Sequence, residues 1–246
     1  MYLIRGIKNL SLFNERFSEE QLVVTIGNFD GLHKGHKKII QEMKNISQNT
    51  GAKTVVIFTE PHAKEFFSMD KDIMEQPARI SPWRDKFKNL ENENIDFAFF
   101  LKFNKSLQTM SPEIFIEKVL GSLNISNLMI GDDFRFGANR EGDFNFLKNW
   151  GKENNILVDN TETFEIQGER VSSTRIRNSL TAGNFSDAKE LLGRPYTFSG
   201  NVVYGQQLGT QLGVPTANLW LPKNKLPIAG VYIVNVDVDG KKYGGI

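Results

Sequence analysis

The sequence contains no cysteine. That removes disulfides, thiol nucleophiles and cysteine zinc sites, and it fits a reducing cytoplasm. An excess of either charge is missing too: 30 Lys and Arg stand against 29 Asp and Glu, for a formal charge of +1. Such a balance leaves no electrostatic footprint for nucleic acid or an anionic membrane. No uninterrupted apolar run approaches the length that crosses a bilayer, and charges break the N-terminal region too early for a signal peptide. Low-complexity tracts and convincing repeats are absent. What is there is ordinary globular material: 246 residues, 39% hydrophobic and 24% charged, enough for one large domain and a small one. The expectation is a cytoplasmic protein with no nucleic-acid or membrane partner; a homo-oligomer stays open.

The organising stretch is VVTIGNFDGLHKGHKKIIQEM, Val23 to Met43. The β-branched run Val23-Val24-Thr25-Ile26 predicts a strand, and Gly27-Asn28-Phe29-Asp30-Gly31 a tight turn. After His33-Lys34-Gly35-His36 comes a helical pattern with Ile39, Ile40 and Met43 on one side. Strand, glycine turn and helix N-terminus in that order form the place where an open α/β sheet receives an anion. His33 and His36, at i and i+3, share one face of the first turn. Protonated, or donating through a ring N–H, both suit a polyphosphate. The bland alternative is two surface histidines on an ordinary helix, which the surrounding glycines argue against.

Further along, Lys53 to Phe58, Asp96 to Leu101, Asn127 to Ile130 and Ile156 to Val158 read as strands. Helices are predicted from Arg79-Ile80-Ser81-Pro82, with Ser81 as N-cap, from Ser111-Pro112-Glu113, and over 144–153. Alternation of this kind argues for a parallel sheet with right-handed crossovers. A helix ending at Gly193-Arg194-Pro195 then gives way to β patterns near 196–204, 214–219, 230–238 and from Lys241, with Asp239-Gly240 as a hairpin turn.

GNFDGLHKGH resembles the HxGH signature of the nucleotidylyltransferase superfamily and, more narrowly, the first motif of bacterial FAD synthetases, usually bifunctional riboflavin kinase/FMN adenylyltransferases. Further blocks match in order. Thr59-Glu60-Pro61-His62-Ala63 stands for FEPHP with two departures, and RISPWRDK stands for RLTP…K. Gly131-Asp132-Asp133-Phe134-Arg135-Phe136-Gly137 stands for GEDFRFG, and Val171-Ser172-Ser173-Thr174-Arg175-Ile176-Arg177 for ISSTxxR. The resemblance implies a Rossmann-like nucleotidylyltransferase domain over 1–187 and a small, incomplete β-barrel-like riboflavin kinase-type module over 188–246.

By the same resemblance the reaction is transfer of AMP from ATP to FMN, giving FAD and pyrophosphate. His33, His36 and Arg177 would be catalytic. Gly27, Asn28, Phe29, Asp30, Gly31, Gly35, Asp133, Arg135, Ser172, Ser173 and Thr174 would hold the nucleotide. Candidates for the flavin ring are Phe58, Pro61, His62, Phe66, Phe103 and Phe136, although most of the nineteen phenylalanines must be core. Magnesium is expected through phosphate oxygens and water rather than a protein cage, with Asp132-Asp133 set aside as ligands.

Gly213-Val214-Pro215-Thr216-Ala217-Asn218 resembles the PTAN motif of riboflavin kinases, where Thr216 and Asn218 would hold magnesium and ATP phosphates. The glycine loop before it carries Thr210 in place of the family's common arginine. Past PTAN no equivalent of the family's later PTF segment and glutamate base appears before Ile246; Asp237 and Asp239 do not match. The expectation is therefore a monofunctional FMN adenylyltransferase. The alternatives are a bifunctional enzyme seen as a shortened chain, another HxGH transferase, and a non-catalytic flavin or nucleotide sensor.

Overall fold

The computed structural model describes residues 1–72, 76–206, 209, 213–214, 216–221 and 225–246. Six parallel strands form the central sheet: β1 (Tyr2–Arg5), β2 (Leu22–Ile26), β3 (Lys53–Glu60), β4 (Phe97–Lys102), β5 (Ile125–Gly131) and β6 (Leu157–Thr161). Their order across the sheet is β1-β4-β3-β2-β5-β6. The chain winds outward from β2 in one direction, then returns to place β5 on its other side. The carboxyl edge between β2 and β5 is thus the topological switch point, where a doubly wound sheet has its crevice.

β2 is buried along its whole length, flanked by β3 (Thr25 opposite Val56) and β5 (Thr25 opposite Met129). Covered on both faces, such a strand reads as a continuous apolar run rather than an alternation, which is how Val23 to Ile26 reads. β1 was not anticipated: four residues beside two charged positions carry little pattern, and pairing with β4 at the sheet edge makes the strand.

Helix α1 (Leu10–Phe17) precedes β2, and α2 (Lys34–Thr50) follows it, burying Ile40 and Met43. Next in order come α3 (Ala63–Phe66), α4 (Trp83–Asn92), α5 (Lys105–Gln108) and α6 (Pro112–Phe115). The Ser111 hydroxyl caps α6 by accepting from Ile114 N, and a π turn over Ile116–Leu120 carries the buried Phe115, Ile116, Val119 and Leu120 inward as expected. α7 spans Phe144–Glu153.

The expected cap at Ser81 is not formed. α4 begins at Trp83 with Pro82 in the cap position, and the Ser81 hydroxyl is buried without a partner among the described residues. The segment ahead of α4 is instead tied by a tertiary contact: the Asp30 carboxylate accepts from the backbone N–H groups of Ile80 (3.2 Å) and Ser81 (3.1 Å).

A short hairpin, β7 (Glu165–Ile166) and β8 (Glu169–Arg170), leads to α8 (Ser173–Thr181) and α9 (Phe185–Leu192). Ile176, Leu180, Ala188, Leu191 and Leu192 share one cluster with Ile80 and Val171. Beyond α9 lie two antiparallel ladders, β9 (Asn201–Val203) with β10 (Asn218–Trp220) and β11 (Val234–Val238) with β12 (Lys241–Gly245). Asp239 and Gly240, at φ 50° and 79°, make the anticipated turn between the last two. Gln207, Leu208, Thr210, Gln211, Leu212 and Pro215 of the glycine loop and PTAN motif lie outside the described residues.

Candidate active site

A cleft of about 1080 Å³ opens at the carboxyl ends of β2, β5 and β6. That exceeds the roughly 300–1,000 Å³ of a single small-molecule pocket, leaving room for two substrates. Two helices start at its wall, α2 and α8, so two sets of free N–H groups and two positive dipole ends meet in one place.

His33 is the N-cap of α2, its Nδ1 accepting from His36 N at 3.3 Å. The two rings stack at 3.6 Å, inclined by 17°, and His36 lies 4.8 Å from the Phe29 ring. Gly35 permits this: a Cβ there would stand 3.2 Å from the His33 ring and 3.5 Å from the Val171 carbonyl. His36 keeps part of its surface in the cleft, but its Nδ1 is sealed from solvent and has no partner among the described residues. Burial pushes the His33 imidazole down to about 4, outweighing the attraction of Asp30, and it also holds His36 well below the ordinary histidine value, with the neighbouring His33 and the Lys86 ammonium adding to the effect. Both rings are therefore neutral at pH 7 in the free protein, which selects donation through a ring N–H over the protonated form.

This has a consequence for stability. Between pH 6.5, the ordinary histidine value, and about 4, the unfolded chain binds a proton at His33 that the folded chain excludes. Stability is then present above pH 6.5 and lost as pH falls toward 4, by about 3 kcal/mol for this one group. Urea unfolding across pH 7 to 4 should show a loss at least that large, since burial depresses His36 and His62 too, and His33→Asn, which keeps a capping acceptor, should make it smaller.

The turn that presents His33 is itself strained, with Phe29 and Leu32 at φ 49° and 43° around Gly31 at φ 84°. Asp30, buried within it, is its anchor. Besides the two amides of Ile80 and Ser81 it faces Arg177 (Nη2 to Oδ2, 3.3 Å), and its carbonyl accepts from the Ser173 hydroxyl at 2.9 Å. Ser172 caps α8, accepting from Arg175 N at 3.2 Å. The histidine block and the serine block, 143 residues apart, are thereby fastened together.

The opposite wall is the segment Asp132 to Arg140. Arg170, from β8, reaches across to Asp132 and Asp133 at 2.9 Å each. Burial works against the Asp132 anion, yet the Thr163 hydroxyl (2.7 Å) and Arg170 hold its carboxyl below the usual range. Sequence reading passed over Arg170, because a charge on a two-residue strand has no pattern around it.

Gly27, Asn28, Phe29, Asp30, Gly35, Asp133, Arg135, Ser172, Ser173, Thr174 and Arg177 all line the cleft; Gly31 does not. A Cβ on Gly31 would meet Ile80 Cγ2 at 2.8 Å, so it shapes the turn from behind. Of the flavin candidates, His62, Phe103 and Phe136 line the cleft. Phe58, Pro61 and Phe66 do not. Phe58 is 1% exposed inside the sheet's core, with the Lys86 ammonium 5.1 Å above its ring, because β3 continues past it to Glu60. Phe66 meets Phe103 edge-on at 5.3 Å and supports it instead. Besides Arg170, sequence reading missed further wall residues, Phe134 and Thr59 among them. Phe134 lies 5.7 Å from Phe136 at 17°, and Thr59, one of the departures from FEPHP, donates to Asn28 Oδ1 at 3.4 Å. Thr216 and Asn218 are exposed and stand outside this cleft.

Beneath the site a buried ionic group carries Arg79, paired with Glu60 and Glu65, and Lys86, 3.8 Å from Glu60 Oε2. With Asp30 and Arg177 its charges balance, as burial demands.

Comparison with known proteins bears on the same residues. The family model described as FAD synthetase matches residues 15–175, and the one described as riboflavin kinase matches 192–246. The bifunctional riboflavin kinase/FMN adenylyltransferase of Pseudomonas fluorescens is 39% identical over 247 residues, covering 100% of this chain and 76% of that protein. The chain belongs to the riboflavin kinase/FMN adenylyltransferase family. The protein of that name from Escherichia coli K12 is also 39% identical, over 98% of this chain and 75% of its own length. Among solved structures, a Streptococcus pneumoniae protein titled a macrolide-efflux protein superposes with a TM-score of 0.81 at 26% identity, over 99% of this chain and 77% of its own. Among the described residues no helix is long and apolar enough to cross a membrane. Because the relatives are named for both activities and the riboflavin kinase model reaches Ile246, the comparisons give no support to the expectation of a monofunctional member.

Proposed function

We propose that this family member transfers AMP from ATP to FMN, releasing pyrophosphate and forming FAD. The observation that carries the reading is the convergence of two helix N-termini, the His33–His36 stack and Arg177 on one cleft at the sheet's switch point. An FMN phosphate oxygen forms a bond to the α-phosphorus of ATP, and the bond from that phosphorus to the bridging oxygen of pyrophosphate breaks. The chain's part is alignment and charge stabilisation, with no covalent intermediate. The imidazole N–H groups serve the α-phosphate, while the α8 N-terminus and Arg177 serve the β- and γ-phosphates. A bound triphosphate favours the protonated imidazoles, opposing the effect of burial. Phe103, Phe136 and His62 are the proposed flavin contacts.

Magnesium belongs to the substrate, as its complex with ATP. Among the described residues no group of three or more His, Asp or Glu is placed to hold a metal, and Arg170 already neutralises Asp132 and Asp133. With Arg170 paired to both carboxylates, Asp132 and Asp133 do not fit a protein-held ion at this cleft.

The proposed division is an adenylyltransferase unit over 1–187 and a riboflavin kinase-type unit over 188–246, with α9 as connector. Incubation with ATP, magnesium and either FMN or riboflavin, followed by chromatographic separation of riboflavin, FMN and FAD, tests the whole. FAD from FMN is the expected product. Failure to form FAD under any condition would leave a sensor, and FMN arising from riboflavin would make residues 192–246 a working kinase and end the monofunctional reading.

A further inference from the structure

The turn that presents His33 is held from a third direction, and the residue responsible lies outside the FAD synthetase match. Arg194, in the riboflavin kinase match, donates from Nη2 to the Gly31 carbonyl at 2.9 Å. The Arg194 side chain is half-buried there, and the guanidinium donates directly to the carbonyl. The neighbouring chain follows the same path. A Cβ on Gly193 would stand 3.4 Å from the Lys34 side chain, at the start of α2. Tyr196 packs against the cluster containing Ile80 and Ile176. Ser199 bonds to Asp85 through both its N–H (2.9 Å) and its hydroxyl.

The segment from Gly193 to Ser199 thus runs behind the phosphate turn rather than merely leading away from it. We infer that Arg194 is a positioning residue for the adenylyl-transfer site, through which the second module fixes the Gly31–Leu32 peptide and hence the place of His33. The physical need is plain: three of four consecutive residues, Phe29, Gly31 and Leu32, hold positive φ values. Such a turn persists only when its surroundings over-determine it. Asp30 restrains one side of it, and Arg194 the peptide that follows Gly31. Arg194 is not among the residues that line the cleft, so its effect is exerted through the turn.

The kinetic part rests on the adenylyl-transfer reading; the structural part stands apart from it. In the full chain, Arg194→Met keeps the aliphatic stem and removes the donor, Arg194→Lys restores a donor, and Arg194→Gln replaces the Met variant should that one not fold. Hydrogen exchange is read over residues 27–36, alongside kcat and KM for ATP and FMN. The expected result for Arg194→Met is exchange about tenfold faster in that segment. The fall in kcat should be about ten- to a hundredfold, with the KM for FMN little changed and Arg194→Lys recovering part of both effects. Arg84→Ala, which removes a 3.2 Å contact to Asn201 between the same two parts of the chain, should leave the turn as it was. If wild-type protein makes no FAD while exchange responds as stated, the adenylyl-transfer reading fails and the positioning of the turn survives. Unchanged exchange over 27–36 in the Met variant, whatever its melting temperature, overturns the proposal, as does an equal response from Arg84→Ala.

Discussion

His36→Ala should lower the turnover of FMN to FAD by about 10²–10³-fold, the usual cost of deleting one preorganised donor to a developing charge. FMN affinity should be nearly unchanged, since the flavin is assigned to other walls of the cleft. The size of the effect follows from where the ring sits. It is stacked on His33 and flanked by Phe29, with Nδ1 sealed from water. In such surroundings a single N–H aimed at a phosphate oxygen acts more strongly than it would in solvent. Assays well below the melting temperature of the variant separate lost chemistry from the cavity left beside Phe29. A nucleotide sensor would have no turnover to lose, so the same measurement rejects that alternative or accepts it.

Asp30→Ala is expected to cost about 3–5 kcal/mol of folding stability, the penalty for breaking a buried charge pair by removing one partner. The substitution orphans the amides of Ile80 and Ser81 and leaves Arg177 facing no anion, with Nε already unpartnered among the described residues. For a chain of this size each kcal/mol is worth about 2–4 °C, so the melting temperature should drop by roughly 10 °C. Asp30→Asn, which retains one acceptor oxygen, should lose less. A double-mutant cycle with Arg177→Met should return a coupling energy that isolates the ion pair from the two amide bonds. A fall of less than about 1 kcal/mol in the alanine variant would show that the turn is held without its carboxylate.

Much of the active-site cleft was legible in one dimension, because local chemistry specified it. Val23 to Ile26 had to be a buried strand, Gly27 to Gly31 a turn, and the Lys34 helix had to present its first turn beside His33 and His36. A capping residue marked the helix start at Ser111, and the cap is observed. Errors came where a residue's fate depends on what the folded chain brings to it. Ser81 has the grammar of a cap, but α4 starts after it and its amide is tied to a carboxylate 51 residues away. Phe58 has the character of a flavin platform, yet it lies one register too deep in β3 and is covered by Lys86.

By itself, then, the order of residues determined the family through its motifs, and through local patterning the parallel α/β plan and the blocks that line the cleft. Only the tertiary structure decided that the two histidines are buried enough to be neutral at pH 7, that Arg170 pairs with Asp132 and Asp133, and that Asp30 joins blocks 143 residues apart. It alone brought Arg194 to Gly31, 163 positions away. Burial and long-range pairing depend on which distant side chains fill the space, and no local pattern encodes that.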